Sequence, residues 1–188
     1  MTHSGQQLLI IITGPVGGGK STAAAGLAQA LRRPEQQAAV IDLDLVYGFV
    51  RQQDGYGEPL AWQRARLGAA ALARGWFDAG MAAVVVDGEF FDQEELDALA
   101  SPFPAHVVRC FYTLRLSYET ALLRVQGDPT RGASKDPEFL RSLHAYFVQS
   151  LPFLEAASTV IDTDDLGSDE VVARLRALVG EQAGAAWR

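Results

Sequence analysis

The chain has 188 residues, 48% of them hydrophobic and 21% charged, a length and balance that point to one globular domain with a proper core. Its net charge of −7 argues against nucleic acid as the main partner, because phosphate backbones are bound by basic surfaces. No apolar run approaches the roughly 20 residues of a membrane span, and "MTHSGQQ" carries neither the basic start nor the small-residue cleavage site of a signal peptide.

Cys110 is the single cysteine, so no intrachain disulfide is expected and a reducing, cytoplasmic setting fits. A monomer and a homodimer are equally compatible with the sequence. Lys20 and Lys135 are the two lysines beside fourteen arginines, and asparagine is absent.

In chain order, Leu8 to Thr13 reads as a buried strand, a continuous apolar run that ends in Gly-Pro. Ser21 to Arg32 is Ala-rich and predicts a helix stopped near Pro34. Ala38 to Ile41 is a second short strand, ending at Asp42, and "LVYGFVRQQ" reads as a short helix before the loop "DGYGEP". Leu60 to Ala79 is a long helix that offers Trp62, Leu67 and Leu72 to the core. "MAAVVVD" is a β-branched strand closing on Asp87, and Asp92 to Ala100 a short helix with an acidic first turn.

"AHVVRCFYT" predicts a fourth strand, and Ser117 to Val125 a helix capped by Ser117. "QGDPTRGASKDP" is loop-like. Pro137 to Ala157 is helical, with a bend or break expected at Pro152. "STVIDT" is a fifth strand, and the closing helix runs from about Ser168 to Leu178. Strands alternating with helices mean an α/β chain with a parallel sheet covered on both faces.

The sharpest signal is Gly14-Pro15-Val16-Gly17-Gly18-Gly19-Lys20-Ser21, which fits G-x-x-x-x-G-K-[ST] without a mismatch and lies between a strand and a helix. Glycines let backbone N–H groups converge on phosphate oxygens, and the helix behind adds its positive end. Lys20 would reach the β- and γ-phosphates, while the Ser21 hydroxyl would ligate Mg²⁺, with Thr22 beside it. The loop is therefore expected to bind a nucleoside triphosphate.

Ligands of a parallel sheet sit beyond the carboxyl ends of its strands, where Asp42, Asp44 and Asp87 fall. In "IDLD", one carboxylate can accept the proton of an attacking hydroxyl while the other faces the metal. Asp44 is taken as the base and Asp42 as the metal-side partner; the simpler reading is that one of them caps the next helix. Asp87, after "VVV", matches an acidic residue that holds Mg²⁺ through water. Glu89 follows as a loop residue, and Phe90 and Phe91 either wall an acceptor pocket or belong to the core.

Transfer of a phosphoryl group needs cations around it; Arg124 ends a helix and Arg131 lies within a loop suited to act as a lid, at about residues 126–136, with Lys135 in support. Arg64 and Arg66 are candidates to contact an acidic substrate. The histidines, His3, His106 and His144, have no ligand spacing, so neither a zinc site nor a catalytic triad is expected.

The Walker A loop, the Asp pair, the lid arginines and the closing "VIDTDDLGSDEVVARL" together resemble the small P-loop kinases, a group that includes shikimate kinase, gluconate kinase, adenylylsulfate kinase and chloramphenicol phosphotransferase. "IDLD" is similar to the Asp-x-Asp segment of shikimate kinase, whose second Asp faces the acceptor hydroxyl, and "QGDPTRGAS" to the lid of chloramphenicol phosphotransferase. The resemblance implies a three-layer P-loop NTPase fold: a five-stranded parallel sheet in order 2-3-1-4-5, helices on both faces, a lid, and Mg-ATP as donor. It also implies that Asp162 to Asp164 border the adenine, with Asp164 in the nucleotide site. Gly88-Glu89-Phe90 stands where shikimate kinase has a Gly triplet, and "DGEFF" lacks the acceptor-binding Arg of adenylate-type kinases.

The expected activity is transfer of the γ-phosphoryl of ATP to a hydroxyl of a small molecule such as a sugar, sugar acid or antibiotic. The alternatives are a nucleoside or nucleotide kinase and a non-catalytic ATP-binding sensor. A GTPase switch is excluded, because its Asn-Lys-x-Asp segment requires asparagine.

Overall fold

The computed structural model describes residues 6–51, 57–184 and 187. Five strands, β1 (Leu8–Thr13), β2 (Ala38–Asp42), β3 (Ala83–Asp87), β4 (Val108–Arg115) and β5 (Thr159–Asp162), form one sheet in order β2-β3-β1-β4-β5. All four pairings are parallel. Every residue of β1 and β3 is buried, which accounts for their unbroken apolar runs: these strands are covered on both faces.

Alternation along the strands divides the core in two. Leu8, Ile10, Ile12 and Val85 point to one face, where they meet α1 (Lys20–Leu31) and α7 (Ser168–Ala183) through Ala24, Leu27, Val171 and Leu175. Leu9, Ile11, Val84 and Val86 point to the other, where α3 (Pro59–Asp78), α4 (Gln93–Ala100) and α6 (Pro137–Ala157) supply Ala65, Ala69, Leu99, Phe147 and Leu154. Each fully buried Leu, Ile or Val contributes on the order of 1.5–3 kcal/mol, so the apolar periodicity dominates the choice of fold. Two further helices, α2 (Leu43–Val50) and α5 (Tyr118–Gly127), lie at the carboxyl ends of β2 and β4. No helix among the described residues is long and apolar enough to cross a membrane.

Several sequence expectations are corrected. α2 starts two residues earlier than expected, capped by Asp42, so Asp44 stands in its first turn. β4 begins at Val108 and runs on to Arg115 instead of spanning 105–113. Leu67 and Leu72 are 53% and 46% exposed; α3 instead buries a narrow stripe of Ala61, Ala65, Ala69 and Ala73, whose small side chains let the helix lie close to the sheet. α6 continues through Pro152 to Ala157 without a break, held by Phe147 and Leu154 on its buried face. Of the two readings of Phe90 and Phe91, the core one holds, since they are 0% and 4% exposed. The end of the helix expected over "LVYGFVRQQ", the start of the loop "DGYGEP", and His3 lie outside the described residues.

Candidate active site

The Gly-rich loop connects β1 to α1 at the point where neighbouring strands diverge to β3 on one side and β4 on the other, a position at which doubly wound sheets open a crevice. Gly17 and Gly19 have φ of 82° and 78°, values that side chains disfavour, and they turn the chain back on itself. No side chain caps α1, whereas α2, α4, α5 and α6 are capped by Asp42, Asp92, Ser117 and Asp136. The free first turn of α1 thus keeps its N–H groups for an anion. Lys20 Nζ folds over the loop and donates to the carbonyls of Gly14 (2.9 Å) and Pro15 (3.2 Å).

Ser21 Oγ donates to Asp87 Oδ2 at 2.6 Å, joining the start of α1 to the end of β3. Asp87 is 2% exposed, and its Oδ1 is buried with no hydrogen-bond partner. Burial pushes the Asp87 carboxyl up to about 6, opposed by the Ser21 hydrogen bond and the charge of Lys20 and assisted by Asp42 and Asp44. Sheet register sets Asp42 opposite Asp87. Asp42 Oδ1 accepts from the N–H groups of Asp44 (2.9 Å) and Leu45 (3.3 Å), so the expected metal-side residue serves as the cap of α2.

Gly88 explains how the carboxylates come together. A Cβ there would meet the Leu43 Cβ at 2.6 Å, so glycine alone permits the start of α2 to press against the end of β3. Asp44 therefore opens onto a cavity of about 490 Å³ that it shares with Lys20, Ser21, Glu89, Trp62 and Arg131. Asp44 is exposed to this space. Desolvation raises the Asp44 carboxyl above its usual range, against the pull of Lys20 and Arg131 and with help from Asp42. Glu89, half-buried, is raised in the same way, chiefly by desolvation.

The two lid arginines part company. Arg131 faces the Asp44 cavity and pairs with Asp128 at 3.2 Å across a turn in which Asp128 also binds Thr130. Arg124 donates to the Thr163 carbonyl and lines a second cavity, of about 340 Å³, with Gly18, Thr22, Leu166 and Gly167. Lys135 is in a short 3-10 turn, Ala133–Lys135, and does not line the Asp44 cavity.

Other expected contacts have local employment. Asp164 accepts from the N–H (3.0 Å) and hydroxyl (2.7 Å) of Ser117, which ties the start of α5 to the segment after β5. Asp162 pairs with Arg115. Arg66, 6% exposed, is bound to Glu95 at 2.6 Å and to the Glu89 carbonyl at 3.0 Å, so it is a buried strut and not a free substrate contact; Arg64 is exposed on α3 outside the cavity. His144 Nε2 lies 3.0 Å from the Leu116 carbonyl oxygen, and His106 is exposed.

Glu89, Trp62 and Thr130 were not singled out as site residues from sequence, yet all three line the main cavity. A hint existed for Glu89, an acid directly behind the strand-end "DG". None existed for Trp62, since its helix has several apolar positions and packing alone chooses among them.

No protein-family model matches the chain, and no curated protein matches it in sequence. Solved structures do. A sugar kinase from Janibacter sp. HTCC2649 superposes with a TM-score of 0.69 at 18% identity, over 96% of this chain and 98% of that one. The tunicamycin resistance protein of Deinococcus radiodurans gives 0.64 at 22% identity, covering 93% and 96%. Shikimate kinase from Bacteroides thetaiotaomicron gives 0.65 at 18%, covering 92% and 98%. The chain has the fold of the small P-loop kinases of the shikimate and gluconate kinase type. Within that P-loop kinase fold, the Gly-rich loop, Asp44 and the 130–134 segment surround one cavity at the carboxyl end of the sheet.

Proposed function

We propose that the protein is an ATP-dependent kinase that transfers the γ-phosphoryl group to a hydroxyl of a small molecule. One observation carries the reading: a cavity of about 490 Å³ is bounded on one side by Gly17 to Thr22 and on the other by the carboxylate of Asp44. Fold neighbours titled sugar kinase, gluconokinase and shikimate kinase support it.

In this reading the amides of the loop and α1 hold the phosphates, and Lys20 leaves its own loop carbonyls to bind the terminal ones. The acceptor oxygen attacks the γ-phosphorus as the bond to the β-phosphate oxygen breaks, and Asp44 accepts the hydroxyl proton. Arg131 steadies the transferring group from the lid. Arg124, anchored on Thr163 beside Leu166 and Gly167, serves the nucleoside side. With Asp164 engaged by Ser117, the backbone near Leu166 is the better candidate border for the base.

Mg²⁺ would supply charge neutralisation between the β- and γ-phosphates. The residues fit such an ion: Ser21 Oγ is beside Asp87, whose buried Oδ1 has no partner and suits a metal-bound water. Among the described residues no three His, Cys, Asp or Glu side chains form a metal cage. A Mg²⁺ carried mainly by phosphates and water does not require one.

The test is incubation of the protein with Mg-ATP and a panel of hydroxyl compounds, with mass spectrometry for a product carrying one added phosphoryl group, and calorimetry of Mg-nucleotide binding. Product formation that disappears in Lys20→Ala supports the kinase. Mg-ATP binding with slow, acceptor-independent hydrolysis that Asp44→Asn leaves unchanged would favour a sensor instead.

A further inference from the structure

The charge around the acceptor end of the cavity is one-sided. Asp44 and Glu89 both line it, and among the described residues neither carboxylate receives a hydrogen bond from a protein side chain or backbone group. Asp44 is exposed and Glu89 half-buried, so both carboxylates are open to a ligand, and their surroundings raise both carboxyls above the usual range. The cations that line the cavity are Lys20, on the phosphate loop, and Arg131, on the lid.

Arg66, 6.0 Å from the Trp62 ring, does not line the cavity; it is engaged through one terminal nitrogen of its guanidinium, and its Nε is buried without a partner. Arg66 binds Glu95 and the Glu89 carbonyl, and Glu95 in turn accepts from the Phe91 N–H at 2.7 Å. With the Phe90 N–H donating to Thr13 Oγ1 at 3.1 Å, the backbone on both sides of Glu89 is fixed, and so is the wall from which its carboxylate projects. Beside Thr130 and Ser134, the wall offers aromatic and apolar faces. Trp62 stacks on Tyr47 with centroids 3.9 Å apart and planes 11° from parallel, and Phe139 and Leu143 face it from α6.

Resting on the kinase reading, we propose that the acceptor is an uncharged or positively charged polyol or amino alcohol, with a ring or apolar face for Trp62, and that Glu89 is the residue that selects it by accepting a second donor beside the reacting hydroxyl. Carboxylate-bearing and phosphate-bearing acceptors are disfavoured, because an anion there meets two carboxylates and, among the described residues lining the cavity, no cation beyond Lys20 and Arg131, which face the nucleotide. This departs from shikimate and gluconate, both acids, despite the shared fold.

The experiment compares one ring in three charge states: glucosamine, glucose and glucuronate, with the matching galactose series. With Mg-ATP, kcat/KM is expected to favour the amino and neutral sugars over the uronate by about tenfold or more, and Glu89→Gln to narrow that gap. A uronate as the best acceptor, or a gap that Glu89→Gln leaves untouched, overturns the proposal. A panel that yields no phosphorylated sugar counts against the kinase reading, and the charge preference is then read by thermal shift in the presence of Mg-ADP. There, greater stabilisation by the amino and neutral sugars upholds the selectivity, and equal stabilisation or a preference for the uronates refutes it.

Discussion

Ser21 Oγ and Asp87 Oδ2 are 2.6 Å apart, and this contact is the bridge between the phosphate loop and the acidic end of the central sheet. It leaves Asp87 Oδ1 buried and unpartnered, a costly arrangement for a folded protein at rest. Such strain is common where a ligand is to complete the set.

The pH response follows from this carboxyl. Its folded value, about 6, exceeds its ordinary 3.8, so between these pH values the folded chain holds a proton that the unfolded chain releases. Asp87 therefore makes stability rise as pH falls from about 7 towards 4, with the full penalty present above pH 6. The difference corresponds to roughly 3 kcal/mol at most. Asp87→Asn is expected to unfold about 1–3 kcal/mol later in denaturant at pH 7.5, to lose the Asp87 contribution to the acid-side gain, and to bind Mg-ATP more weakly. Urea titrations at pH 5 and 7.5, paired with calorimetry, check all three.

Asp44→Asn separates chemistry from binding. The substitution keeps the first turn of α2 and removes the proton acceptor, so turnover of any acceptor should fall about 10²–10⁴-fold while Mg-ATP affinity changes little. Single-turnover rates beside nucleotide titrations give the comparison. Nucleotide affinity falling as far as turnover would mean that Asp44 belongs to the phosphate site.

Arg124 and Arg131 should behave differently although the sequence treats them as a pair. Arg131→Ala is expected to lower kcat by roughly 10²-fold or more with modest change in nucleotide affinity, as for loss of a group that steadies the transferring phosphoryl. Arg124→Ala should instead weaken nucleotide binding and loosen the contact with Thr163. Kinetic and binding constants for the two variants side by side decide it.

Arg66→Met should act through the fold. It strands Glu95 without its partner and frees the Glu89 carbonyl, and breaking such a buried pair costs about 3–5 kcal/mol. The expected result is a marked loss of thermal stability, with the charge preference among acceptors degraded but not inverted. A variant of unchanged stability would show that the Arg66–Glu95 pair adds nothing to the fold.

The strands and the Gly-rich loop were legible because each is written in a short stretch. Continuous apolar runs need covering on both faces, and glycines at fixed spacing before Lys20 and Ser21 have one well-understood use. Legibility ended where a residue's role depends on a neighbour distant in sequence. "IDLD" offered two acids, and the cap geometry at the start of α2 gave one to the helix and turned the other to the cavity. Arg66 looked like a substrate contact until Glu95, 29 residues on, was found against it.

By itself the sequence determined which segments are strands and helices and where a triphosphate is expected, since backbone preference, apolar periodicity and loop glycines are local properties. Only the tertiary structure decided which faces of α3 are covered, which acid caps and which lines the cavity, and that Glu89 and Trp62 share a wall. Those outcomes follow from close packing between elements far apart in the chain, such as Gly88 against Leu43, where a clash or fit of a few tenths of an ångström selects the neighbour.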